Sequence, residues 1–142
     1  MRDTRILVLL IVMLVGVVAL AGCTAQESSN TTSAASGDAD TFFAQAGTLG
    51  EQGNYQQALA TYEQGLQLDP DNVEALNGKG ATLRALGRDD EALAAFTRAT
   101  EIDPASAPSW MNRGDALERL GRTDEADAAY QKAVDLGSTA QR

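Results

Sequence analysis

Two patterns of hydrophobic and polar positions divide the chain. The first is an unbroken apolar run from Ile6 to Leu20, preceded by Arg2 and Arg5 and followed by Ala21, Gly22 and Cys23. As a helix this run spans roughly 22 Å at about 1.5 Å per residue, short of the ~30 Å hydrocarbon core of a bilayer. A basic start, an apolar middle and small residues at the end predict a secretory signal over residues 1–22 in preference to a spanning helix. The second pattern begins near residue 39, where apolar positions recur three and four apart, as on one face of a helix. Between the two, residues 24–38 hold no large hydrophobe and no periodicity, so a flexible tether is expected there.

The second pattern repeats itself. An offset of 34 superposes Phe42, Leu76 and Trp110, then Leu49, Leu83 and Leu117, then Ala58, Ala92 and Ala126, then Tyr62, Phe96 and Tyr130. The units are residues 39–72, 73–106 and 107–140. Within each, two helical segments of about thirteen residues are split by Gly53, Gly87 or Gly121, the residue type best suited to the left-handed position that ends a helix. Asp69-Pro70-Asp71-Asn72 and Asp103-Pro104-Ala105-Ser106 separate the units, because proline lacks the N–H a continuing helix needs; Asp and Asn are candidate caps there. Small residues, Ala46, Gly80 and Gly114 in first helices and Gly65, Ala99 and Ala133 in second helices, stand where helices must approach closely. Large ones at Phe42, Tyr62, Phe96, Trp110 and Tyr130 fill the space around them.

The period, the segment Trp110-Met111-Asn112-Arg113-Gly114, the recurring Ala with Tyr or Phe in the second helix, and the proline between units resemble the tetratricopeptide repeat. That resemblance implies an all-α fold of three tandem helix-turn-helix hairpins in a short right-handed superhelical solenoid. The last copy departs from the pattern. Gly137 and Ser138 replace the Asp-Pro pair, and Asp127 stands where the earlier copies have Leu59 and Leu93. A polar Asp127 suits a terminal unit with no successor to cover it. Leu20-Ala21-Gly22-Cys23 similarly resembles the lipobox of prokaryotic lipoproteins, which implies a lipidated Cys23, palmitate-type acyl chains and display outside the cytoplasm on a cell or outer membrane.

Charge and composition narrow the function. The formal net charge is −9, and no basic residue lies between Arg5 and Lys79, which argues against a nucleic-acid partner. Histidine is absent and the one cysteine, Cys23, is assigned to the anchor. With no Gly-rich phosphate loop either, nothing assembles a nucleophile and base, and no metal or cofactor is implied. The paired carboxylates Asp89-Asp90-Glu91 and Asp124-Glu125 start second helices, where they complement the helix dipole.

What remains is a binding surface. The resemblance implies a concave wall made by first helices, with Phe43, Gly47 and Glu51, then Asn77, Ala81 and Arg84, then Met111, Asp115 and Arg119 facing inward. Phe43, Asn77, Arg84, Met111, Asp115 and Arg119 are the expected contacts to a protein or peptide, on the premise that their side chains need not support the fold. A subset of the family grips chaperone tails with Lys, Asn and Arg, whereas Phe43, Gly47, Gly78, Pro108 and Asn112 occupy the matching places here, so that activity is disfavoured. The expected function is a non-catalytic, membrane-anchored adaptor. The alternative is a structural envelope lipoprotein that self-associates into a homo-oligomer through its last helix.

Overall fold

The computed structural model describes residues 31–139; the signal over 1–22, Cys23 and the first part of the tether lie outside the described residues. Residues 33–142 form one compact unit. Among the described residues there are six helices and no strands: α1 (Thr31–Glu51), α2 (Tyr55–Leu68), α3 (Val73–Ala85), α4 (Asp89–Ile102), α5 (Ala107–Arg119) and α6 (Thr123–Thr139). They pair as three hairpins, and helices adjacent in sequence from α2 onward pack on one another. The all-α repeat fold is as expected.

Two local devices recur in register. At each hairpin turn a glycine takes a positive φ, 77° at Gly53 and 73° at Gly87 and Gly121. The Gly87 N–H donates to the Arg84 carbonyl at 3.0 Å and the Arg88 N–H to the Leu83 carbonyl at 2.9 Å, which satisfies carbonyls the ending helix would leave unpaired. Gly121 and Arg122 repeat this pattern on Glu118 and Leu117, and Gly53 and Asn54 repeat it on Gly50 and Leu49. Directly after the turn, Arg88 makes a two-pronged pair with Glu91, and Arg122 makes the same pair with Glu125. In the first hairpin Asn54 and Gln57 stand at those places, and no such clip forms.

Between hairpins one cap is the expected Asn72 and the other is Ser106 in place of an Asp or Asn. The Asn72 side chain accepts from the Ala75 N–H at 2.9 Å, and Ser106 accepts from Ser109 N–H at 3.3 Å, with Pro108 in the first turn where a missing N–H costs nothing. At the last hairpin no proline intervenes, and α6 runs through Gly137 and Ser138 to Thr139.

The core is layered along the stack. Phe96 and Ala92 are fully buried between Leu59, Leu83 and Ala116, so the central cluster draws on all three hairpins. Ala46, Tyr62 and Ala75 form a layer toward the first hairpin, and Leu117, Ala126 and Ala129 one toward the last. The small-residue positions are required by contact: a Cβ on Gly65 would collide with Phe43, one on Gly80 with Phe96, and one on Gly114 with Tyr130. Asp127 is exposed where the aligned Leu59 is buried.

Two expectations are corrected. The tether does not extend to residue 38, because α1 already begins at Thr31; no proline interrupts 31–38, and the helix carries Gly37 within it at a cost of about 1 kcal/mol relative to alanine. Trp110 packs against the Leu117, Ala126 and Ala129 cluster but is only half-buried where its aligned partner Leu76 is buried; its indole N–H donates to the Pro104 carbonyl at 2.9 Å and the Arg113 guanidinium sits 5.2 Å from its ring centroid.

Candidate binding groove

The groove is built from first helices. Ala81 and Ala85 of α3 and Gly47, Gly50 and Glu51 of α1 line a cavity of about 370 Å3, with Gly78 on its floor. A second cavity of about 370 Å3 is lined by Asp40, Phe43, Ala44 and Gly47 of α1, by Glu74 and Ala75 of α3, and by Asn72. Tyr62 of α2 reaches between the two helices and lines both cavities. Gly78 makes that reach possible, since any Cβ there would strike the Tyr62 ring and hydroxyl.

Of the six residues assigned to partner contact, the structure ties five into the fold. Phe43 packs against Ala46, Tyr62 and Ala75 and fills the gap over Gly65. Asn77 donates to the Ser109 hydroxyl at 2.7 Å and to the Val73 carbonyl at 3.0 Å, and accepts from Asn112 at 3.2 Å. Arg84 pairs with Asp115 at 2.7 Å, and Arg119 pairs with Asp89 at 2.7 Å. Met111 alone of the six stands as an exposed large hydrophobe, 45% accessible. The premise that these side chains need not support the fold is therefore corrected: a polar seam joins the second and third hairpins along the wall that was read as free. The pairs in it are half-exposed, and such pairs contribute about 0.2–1 kcal/mol each, so the seam fixes how the hairpins dock more than how tightly.

Tyr62 was placed in the core from its repeat position, and its role in the groove was missed. Comparison with its repeat counterpart reveals that role. The Tyr130 hydroxyl lies 3.0 Å from Asp115 Oδ1 and 2.9 Å from Glu118 Oε2, sharing its proton between them. Burial and those two acceptors push the Tyr130 hydroxyl well above the usual phenol range. Two repeats earlier the same two places hold Gly47 and Gly50, so the Tyr62 hydroxyl has no hydrogen-bond partner among the described residues. It too is raised, first by burial and then by the Glu74 carboxylate.

Residues 43–107 and residues 107–136 match two family models, each described as tetratricopeptide repeat. Solved structures share the fold. The second repeat domain of Spaghetti (RPAP3), bound to the HSP90 peptide SRMEEVD, is 21% identical with a TM-score of 0.67, over 69% of this chain and 91% of that one. MamA is 20% identical with a TM-score of 0.70, over 72% of this chain and 60% of that one. The Sgt2 repeat domain from Aspergillus fumigatus is 24% identical with a TM-score of 0.69, over 71% and 67%. No curated protein shows significant similarity to the chain.

Proposed function

Residues 43–136 are tetratricopeptide repeats, and from that premise we propose that this chain is a non-catalytic adaptor that holds a segment of another protein in the groove between α1 and α3. The observation that carries the reading is the groove itself. Two cavities of about 370 Å3 meet at Tyr62, on a floor of glycine and alanine that leaves backbone-wide room for an extended chain. A similar fold, that of Spaghetti, is known with a bound peptide, which supports the mode of binding and not the identity of the ligand.

A photoreactive phenylalanine analogue placed at Ala81 tests this. Ala81 is exposed and lines the groove, so the label disturbs no core contact. Discrete protein adducts are expected from position 81 and from position 51, which is exposed in the same cavity, and none from Ala94, which is exposed on the second helix α4. Adducts from position 94 alone would sink the groove reading. Ala81→Trp, which fills the same space, is expected to abolish those adducts from position 51 while circular dichroism stays unchanged.

Residues 1–23 extend the proposal to a lipid anchor at Cys23 and to display outside the cytoplasm. The support is the Leu20-Ala21-Gly22-Cys23 tetrad behind a short apolar run. Two acyl chains, at about 0.8 kcal/mol per buried CH2, suffice for stable attachment. Cys23→Ser is expected to leave an unprocessed chain without lipid. Mass spectrometry that finds unmodified Cys23 in the mature wild-type protein rejects the anchor. One observation favours self-association as a second reading: Val134 on the terminal helix α6 is 58% exposed. Sedimentation over a range of concentrations decides it, since only the self-associating protein gains mass.

A further inference from the structure

Acids line the groove. In one cavity Asp40 and Glu74 present carboxylates that have neither an ion pair nor a hydrogen bond among the described residues, and Phe43 adds an aromatic wall; in the other Glu51 is likewise unpaired. No lysine or arginine lines either cavity. Along α3 and α5, by contrast, Asp115 is paired with Arg84 and Asp89 with Arg119. Unpaired carboxylates gathered around an aromatic face form an environment that attracts a cation.

A second observation points to a ligand independently of charge. Tyr62 is only 9% exposed and lines both cavities, and its hydroxyl has no hydrogen-bond partner among the described residues. The aligned Tyr130 shows what that hydroxyl lacks, an acceptor oxygen. With Glu74 nearby, a second carboxylate is a poor acceptor to bring in, whereas a neutral peptide carbonyl carries no such repulsion.

We propose that the groove takes an extended protein segment bearing a lysine or arginine, with its cationic side chain held between Asp40 and Glu74 against Phe43 and a main-chain carbonyl accepting from the Tyr62 hydroxyl. This rests on the groove reading above and names its occupant. The geometry also excludes the opposite class: a segment whose only charges are acidic meets three unpaired carboxylates, Asp40, Glu51 and Glu74, and no cation in these cavities.

The test uses the full chain in a nonionic detergent and, as probes, capped decapeptides of alternating lysine and serine, glutamine and serine, and glutamate and serine. Calorimetry is expected to show saturable binding of the lysine peptide, at least about tenfold tighter than that of the glutamine peptide, and no binding of the glutamate peptide. Asp40→Asn with Glu74→Gln is expected to erase the preference for lysine, and Tyr62→Phe to weaken lysine and glutamine peptides alike. Because the protein is acidic overall, Asp124→Asn with Asp127→Asn serves as the charge-matched control and is expected to change nothing. The proposal fails if the lysine peptide does not bind saturably, if the glutamine peptide binds equally well, or if both charge-removing pairs weaken binding to the same degree. Failure here with intact cross-linking from position 81 leaves the groove standing and removes only its basic occupant; loss of both removes the groove.

Discussion

Phe96→Ala is expected to destabilise the repeat domain by about 3–5 kcal/mol, the cost of emptying a buried aromatic site. Phe96 is fully buried, and the cluster around it contains Leu59 of α2, Leu83 of α3 and Ala116 of α5. Its removal leaves a cavity that three hairpins share, and none can close it without shifting against a neighbour. Against a total stability of about 5–15 kcal/mol for a domain, such a loss is close to unfolding. Urea denaturation followed by circular dichroism checks it. A loss below about 1 kcal/mol would mean that the hairpins do not meet around this ring.

Gly80→Ala is expected to cost about 1–3 kcal/mol, although alanine is the better helix former by ~1 kcal/mol. An added Cβ at residue 80 would lie 2.5 Å from the Phe96 ring, and a fully buried ring has nowhere to retreat. Two companions isolate the cause. Gly50→Ala, also helical but with nothing within 4 Å, should gain stability from propensity alone. Gly80→Ala in a Phe96→Leu background should cost much less than in the wild type, because the colliding ring is gone; additive effects would refute the contact.

The repeat positions and the turns were legible in the sequence because each depends on residues close together in the chain. Gly53, Gly87 and Gly121 mark a backbone conformation few other residues accept, and Asn72 and Ser106 cap helices three residues away. The wall was less legible. Whether Asn77 is free or engaged depends on Ser109, 32 positions later, and alignment places both without saying that they touch. Phe43 read as an exposed anchor because Phe42 beside it fits the apolar stripe; only the missing side chain at Gly65 shows where the second ring goes. Tyr62 read as core, which its burial supports, but its groove role emerges only when Gly47 and Gly50 are set against Asp115 and Glu118. The start of α1 was missed because Thr31-Thr32-Ser33-Ala34-Ala35-Ser36 carries no amphipathic signal, and helix propensity in such a stretch is nearly neutral.

Among the described residues the seam between α3 and α5 has no counterpart between α1 and α3, where glycines and the two cavities stand instead. In a stack of repeats, stability is held largely in the contacts between neighbours, so each junction opens with a free energy of its own. A ligand seated across the first junction binds the docked arrangement and not the opened one, and mass action then draws the first hairpin onto the second. Occupancy would thus be written into the protein as slower amide exchange in α1 and α2, a signal that reaches the N-terminal side of the domain and leaves α5 and α6 almost untouched.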